Sequence, residues 1–270
     1  VACVSDFRPM DIALGGEGAP LTPYFHWVFF KNRENLAVHN LGGFSNVTVI
    51  PKKNSASSVF AFDTGPANYV INLAMRLVSH GKKDFDKDGE LAKKGEVSQT
   101  TVEKWMKHPF FRKQPPKSCS IEVLGKEFLE DFKKEILIRS LSRAPANEPL
   151  GIKNLQSKAD KISTVTEFVA RSIVKSYDQF ILPRCKLKEV VFCGGGAHNK
   201  TLMNVLSKQL FNRGIRVSYF DDYGISGDAV EAVSFAYFGY LCLNKKVNHL
   251  PQVTGALKSA ILGKISYPSI

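Results

Sequence analysis

Long apolar runs are missing from this chain. Its greasiest stretch, Ala232 to Leu243, is interrupted by Ser234 and Gly239 and falls well short of the roughly 20 apolar residues a membrane-spanning helix needs. A buried helix is expected there, and no membrane partner. The first residues, Val1-Ala-Cys-Val-Ser-Asp-Phe-Arg, show no basic-then-apolar leader pattern and read as the end of a strand already under way. Closely spaced cysteine pairs are also missing. Cys3, Cys119, Cys185, Cys193 and Cys242 contain no C-x-x-C, and Cys193 and Cys242 lie in apolar surroundings. Reduced thiols, a cytoplasmic location and no zinc site are the expectations. Neither a Walker loop nor a dinucleotide fingerprint occurs, which disfavours those two nucleotide folds. Asp84-Phe-Asp-Lys-Asp-Gly89 opens like a calcium loop, but the twelfth position, where a bidentate Glu is required, is Gly95. That segment reads as an acidic turn into a helix, and no protein-held metal is expected.

Acidic residues are scarce. With 37 Lys and Arg against 25 Asp and Glu, the net charge is +12, a sign that suits nucleic acid, an acidic membrane surface or a phosphorylated ligand. The lysines nevertheless scatter along solvated faces (Lys82, Lys83, Lys93, Lys94, Lys133, Lys134) without the interleaved aromatics of a nucleic-acid groove. A basic surface with no nucleic-acid partner is the expectation. The remainder is ordinary globular composition, 44% hydrophobic and 23% charged over 270 residues, enough for one large domain or two modest ones.

What is present alternates between strand and helix. Asn35 to Ile50 reads as a hairpin turning at Leu41-Gly-Gly-Phe-Ser-Asn and resuming at Val47. After a polar loop, Pro51 to Ser58, a short strand Val59-Phe-Ala-Phe ends in Asp63, and Thr64-Gly-Pro-Ala-Asn opens a helix that Gly81 closes. A second amphipathic helix is predicted near 160–181, with Ile162, Val165, Phe168, Val169 and Ile173 as its stripe. A buried strand Val190–Cys193, a Gly194-Gly-Gly turn, a helix through Leu202 and Leu206, and a strand at 215–219 follow, with Asp228 capping the last helix. The alternation predicts an α/β protein opened by an antiparallel hairpin.

Glycine turns after strands recur at Gly15-Gly16, Gly42-Gly43, Gly65-Pro66 and Gly194-Gly-Gly196. One such turn only permits a tight bend, whereas several together suit backbone amides approaching phosphates. Asp63, at a strand end before a helix, is equally placed to be a general base or a helix cap. Glu231 is an isolated acid in an apolar helix, either meeting a polar ligand or facing water at the helix rim. Arg8, beside Asp6, is either the opposite charge of the same cleft or an ordinary ion-pair partner.

Seven segments in order then resemble one family, the anhydro-N-acetylmuramic acid kinases: Asp6-Phe-Arg-Pro-Met-Asp-Ile-Ala-Leu-Gly-Gly-Glu-Gly-Ala-Pro20, Asn40-Leu-Gly-Gly-Phe-Ser-Asn46, Phe62-Asp-Thr-Gly-Pro-Ala-Asn68, Pro115-Pro-Lys-Ser118, Cys193-Gly-Gly-Gly-Ala-His-Asn199, Gly227-Asp-Ala-Val-Glu-Ala232 and Leu250-Pro-Gln-Val-Thr-Gly-Ala256. The resemblance implies a two-lobed ribonuclease-H-like fold of the actin/hexokinase ATPase type, with ATP and sugar in the cleft. Residues 1–34 would be a remnant of an incomplete first lobe joined by part of 228–270, and 35–227 the second lobe. Residues 228–270 would supply a C-terminal helix and tail at the cleft.

By the same resemblance, Asp63 is the catalytic base that activates water against the anomeric carbon of a 1,6-anhydro sugar, and the released 6-oxygen takes the γ-phosphoryl group of ATP. Arg8 and Glu231 contact the sugar. Gly42, Gly43, Asn46, Gly65, Asn68, Gly194, Gly195, Gly196 and Asn199 belong to the ATP site, with Mg²⁺ neutralising the phosphates. The expected partners are the sugar and ATP, with a homodimer as the oligomer. The sequence departs from the family at Glu17 (usually Gln), at Ala67 (usually Gly) and in a lengthened stretch after Ser118. No counterpart of the family's N-terminal Gly-Thr-Ser-type phosphate loop is found, so the chain is expected to begin inside the first lobe. A kinase for levoglucosan and a non-catalytic sugar- or nucleotide-binding relative are the alternatives.

Overall fold

A computed structural model describes residues 1–52, 55–137 and 157–268, so part of the predicted loop at 51–58 lies outside the described residues. In chain order the elements are β1 (Cys3–Ser5), α1 (Arg8–Ala13), α2 (Pro23–Phe29), β2 (Leu36–Leu41), β3 (Phe44–Ile50), β4 (Phe60–Pro66), α3 (Asn68–Ser79), α4 (Gln99–Trp105), α5 (Ile121–Leu137), α6 (Lys158–Ser176), β5 (Glu189–Cys193), α7 (Lys200–Phe211), β6 (Arg216–Tyr219), α8 (Val230–Leu243), α9 (Pro251–Thr254) and β7 (Lys264–Ser266). Short 3-10 turns link several of them.

Five strands form a mixed sheet in the order β4-β3-β2-β5-β6. The β2–β3 and β3–β4 pairs are antiparallel, while β2–β5 and β5–β6 are parallel. The α/β expectation and the opening hairpin are therefore met. β1 and β7 pair apart from this sheet, with Val4 opposite Ile265.

Both faces of the sheet are covered, and the two-residue side-chain period decides which residue serves which face. Ala37, Val47, Val49, Phe62, Val190 and Phe192 enter one apolar cluster with α3, α6 and α7. Leu36, Val38, Ile50, Ala61 and Val191 enter another with Phe7, Phe25, Phe220, Phe238 and Leu262. Asn40, Asn46 and Asp63 fall on this second face, at the sheet's end, where apolar filling gives way to a cavity.

Several element boundaries differ from the sequence expectation. β3 begins at Phe44, three residues before Val47, leaving Gly42-Gly43 as the turn. β4 does not stop at Asp63 but continues to Pro66, and α3 starts only at Asn68. Main-chain pairing with β3 carries the strand through Thr64-Gly65 despite their turn-like appearance. α6 carries the expected stripe fully buried, yet its polar side is buried too. The Thr166 and Ser172 hydroxyls donate to the Ile162 and Val169 carbonyls, which satisfies them without water. α8 shows the converse. Val230, Ser234, Phe238, Leu241 and Cys242 are buried, whereas Tyr240 and Leu243 are about half exposed, so the helix is one-sided rather than buried all round. No helix among the described residues is long and apolar enough to cross a membrane, and all five cysteines are free thiols, Cys3 exposed.

Candidate active site

Asp63 owes its position to an irregularity in the sheet. Ser45 pairs with Gly65 while Asn46 pairs with Asp63, so Thr64 is one residue extra in β4, a bulge that re-aims its neighbours. A buried chain of polar groups fixes it. Thr64 Oγ1 lies 2.5 Å from Ser45 Oγ, Ser45 Oγ lies 2.7 Å from His39 Nε2, and His39 Nδ1 lies 2.8 Å from the Tyr177 hydroxyl. Burial keeps His39 neutral, with its pKa lowered to about 3.

The carboxyl of Asp63 does not cap α3. Its Oδ2 accepts the Cys119 N–H at 2.7 Å, and its own N–H donates to the Lys117 carbonyl at 3.0 Å. Burial raises its pKa to about 6, against the lowering effects of the Cys119 N–H and the Lys117 charge. That is the range in which a carboxylate can both hold and release a proton near neutrality. Lys117 is buried, with its ammonium 4.5 Å from the Phe110 ring centre, 4.6 Å from Phe180 and 5.9 Å from Phe62. It donates to the Phe110 carbonyl at 3.3 Å, and burial lowers its pKa to about 8. The adjacent Cys119 thiol is pushed up to about 12 by burial, so it stays protonated and unreactive.

A cavity of about 500 Å³ opens over Asp63, and Arg8, Asn40, Gly42, Asn46, Gly194, Gly195, Asp228 and Glu231 line it too. The predicted base, both predicted sugar contacts and part of both glycine turns thus meet in one place. A second cavity of about 390 Å³ adjoins it through Gly195, lined by Asn68, Asn72, Phe85, His198 and Asn199. His198 Nε2 lies 2.9 Å from Asp228 Oδ2, a pair that links the walls of the two cavities. Asp228 makes this contact instead of capping α8, whose N-cap is Ala229.

The glycines serve different ends. The Gly43 carbonyl accepts the Ala67 and Tyr69 N–H groups and the Gly42 carbonyl that of Asn68, so the hairpin turn occupies the first amides of α3. Gly194 has φ +82°, and a Cβ there would meet Asn40 Oδ1 at 2.3 Å, whereas a Cβ on Gly195 would meet only Asn68 Nδ2 at 3.8 Å, in open space. Gly65 and Gly196 stand apart from the cavity walls. A Cβ on Gly65 would meet Phe111 and Ser172, and one on Gly196 would meet Leu41. Asn199 also caps α7, its Oδ1 accepting the Leu202 N–H at 3.0 Å.

Lys117 and His26 line or adjoin the site without an assigned role in the sequence, whereas Asn40 lies within the Asn40–Asn46 motif. The Pro115-Pro-Lys-Ser118 motif was the one available signal for Lys117. His26 reaches the cavity from α2 with Nδ1 2.9 Å from Thr48 Oγ1, and resembles an ordinary core histidine in sequence. The lengthened stretch after Ser118 folds as the first turn of α5, broken from the rest at Gly125, which has φ 76°.

Comparison with known proteins identifies the family. The family model described as anhydro-N-acetylmuramic acid kinase matches residues 1–268. A protein of that name from Caldanaerobacter subterraneus subsp. tengcongensis is 40% identical over 98% of this chain and 63% of its own length. Those from Francisella tularensis subsp. novicida and Bacillus cereus are each 37% identical, over 98% and 99% of this chain and 64% and 65% of theirs. The chain thus spans just under two thirds of the length of the curated relatives it matches. Among solved structures, the activator of the 2-hydroxyisocaproyl-CoA dehydratase from Clostridium difficile aligns with a TM-score of 0.41 at 12% identity, over 82% of this chain and 67% of that one, too loosely to bear on the fold. On its match to the family model along almost its whole length, the chain belongs to the anhydro-N-acetylmuramic acid kinase family.

Proposed function

We propose that this protein opens the 1,6-anhydro bridge of anhydro-N-acetylmuramic acid with water and passes the γ-phosphoryl group of ATP to the oxygen released. The observation that carries this reading is Asp63, a largely buried carboxyl with a pKa near 6 in a cavity shared with Arg8, Glu231 and two glycine turns. Asp63 takes a proton from water as the water oxygen bonds to the anomeric carbon. The bond from that carbon to the 6-oxygen breaks, and the 6-oxygen attacks the γ-phosphorus, releasing ADP. The Cys119 N–H holds Asp63 in place, and the Lys117 charge favours its ionised form. Arg8 would pair with the lactyl carboxylate of the sugar, and Glu231 would accept from its hydroxyls.

ATP would lie across both cavities, its phosphates near Gly42, Gly43, Asn46, Gly194 and Gly195 and its nucleoside toward Asn68 and Asn199. Gly195, where added bulk would project into open space, fits a close approach of phosphate to backbone. Mg²⁺ would be carried chiefly by phosphate and water. When bound, Mg²⁺ supplies charge neutralisation at the phosphates. The sheet, three antiparallel strands extended by two parallel ones, supports a ribonuclease-H-like lobe over 35–227. The β1–β7 pair supports joining residues 1–34 to part of 228–270 in the other. Such an enzyme would serve cytoplasmic recycling of cell-wall amino sugars, and a homodimer remains part of the proposal.

The test is substrate choice in the full-length protein. Turnover should be strong with anhydro-N-acetylmuramic acid and weak with levoglucosan, which lacks the lactyl carboxylate. Arg8→Ala should raise KM for the first about tenfold or more and leave the second nearly unchanged. Efficient use of levoglucosan by the wild type would shift the assignment to that sugar.

A further inference from the structure

The Leu250–Ala256 motif has no part in the chemistry proposed above, yet it meets a deeply buried charged cluster. Asp11 is 0% exposed. Its Oδ1 accepts from the Thr254 hydroxyl at 2.6 Å and lies 2.5 Å from His249 Nε2, and its Oδ2 accepts the Gly18 N–H at 2.6 Å. Among the described residues, His249 Nδ1 is buried with no partner, so the ring's polar contacts all run through Nε2, to Asp11 and to Thr254 Oγ1. Gly16 lies so close that a Cβ there would sit 2.3 Å from the Asp11 carboxylate. Main-chain bonds close the two segments together, from Glu17 N–H to the Thr254 carbonyl and from Leu257 N–H to the Leu14 carbonyl, each at 2.9 Å.

The chain of contacts leads outward to the cavity. Gly18, held through its N–H by Asp11, uses its carbonyl to accept from Arg8 Nη1 at 3.1 Å, and Arg8 lines the cavity while Asp11, His249 and Thr254 do not. A buried carboxylate must keep its donors, because losing one leaves charge uncompensated away from water. The Asp11 carboxylate therefore has its contacts in one arrangement, and that arrangement holds Gly18 and with it the direction of Arg8.

We propose that Asp11, His249 and Thr254 form a strut that positions Arg8, so that the C-terminal turn sets affinity for the sugar without touching it. The inference rests on the proposed role of Arg8 in sugar recognition. Its test combines one readout that needs no substrate with one that does, in the full-length protein. Thr254→Val, close in shape but lacking the hydroxyl, should make the amides of residues 15–19 exchange with deuterium about tenfold faster. It should raise KM for anhydro-N-acetylmuramic acid about tenfold while KM for ATP stays within twofold. Thr254→Ser should restore both values. Added to Arg8→Ala, Thr254→Val should cost nothing further in KM for the sugar, as expected when one residue acts through another. Unchanged exchange and KM in folded Thr254→Val and His249→Gln variants would overturn the strut, and so would equal rises in KM for both substrates. Faster exchange in a protein whose wild type binds no anhydro sugar would leave the strut standing and refute the proposed function instead.

Discussion

Asp63 shows how much of a candidate base can be seen in sequence and how much cannot. Its neighbourhood in the chain, strand before and helix after, left base and cap equally open. The structure removes the cap, because β4 runs on to Pro66 and the carboxyl turns to Cys119, 56 residues away in sequence. A contact of that separation leaves no local pattern. The raised pKa fixes two signs. Activity should fall on an acid limb near pH 6, as Asp63 takes up the proton it must accept. Lys117→Met, which keeps the apolar stem among Phe62, Phe110 and Phe180 but deletes the charge, should move that limb upward. A limb unmoved in the pH profile of this variant would mean that Lys117 only fills space. Stability moves the other way. With a folded pKa of about 6 against 3.8 for the free group, the contribution of Asp63 to stability is complete below pH 3.8 and lost as pH rises through 6. Ionised Asp63 therefore costs stability at pH 7, and Asp63→Asn should stabilise the fold there by about 1 to 3 kcal/mol in denaturant titration while cutting turnover by about two to four orders of magnitude.

The turns and helices were legible in proportion to how far local pattern decides them. The Gly42-Gly43 hairpin announced itself because a two-residue turn and alternating side chains are local signals. The stripe of α6 was visible, but its buried serines and threonines were not, because hydroxyls satisfied by their own helix read as a solvated face. α8 was misread for the opposite reason. It is apolar all round, yet what lies against each side is settled by distant segments such as Val4 and Phe7, not by its own sequence. Glycines looked alike in sequence and differ in the structure, which gives a contrast to measure. Gly194→Ala places a Cβ at φ +82° and against Asn40, and should lower stability by about 1 to 3 kcal/mol. Gly195→Val should leave the melting temperature nearly unchanged, since its neighbourhood is open, and raise KM for ATP about tenfold. Equal stability losses in the two variants would remove Gly195 from the nucleotide path.

Taken whole, the molecule brings Asp63, Arg8, Gly42, Gly194 and Gly195 to one cavity at the end of the mixed sheet where the apolar cluster stops. The family's motifs, scattered over nearly the full chain, could be recognised one by one. Their convergence could not be read off, because it depends on β5 inserting beside β2 and on the C-terminal turn folding back onto residues 11–18. The +12 charge would suit the proposed phosphorylated nucleotide and acidic sugar. The most direct test of an anhydro-sugar kinase using Asp63 as its base is to run the full-length protein with ATP and anhydro-N-acetylmuramic acid in ¹⁸O-water and analyse the product by mass spectrometry and NMR. One ¹⁸O on the anomeric carbon, none in the phosphate and a phosphomonoester at the 6-oxygen are expected, with product formation falling about two to four orders of magnitude in Asp63→Asn. Label appearing in phosphate without any sugar phosphate, or equal rates in wild type and Asp63→Asn, would contradict it.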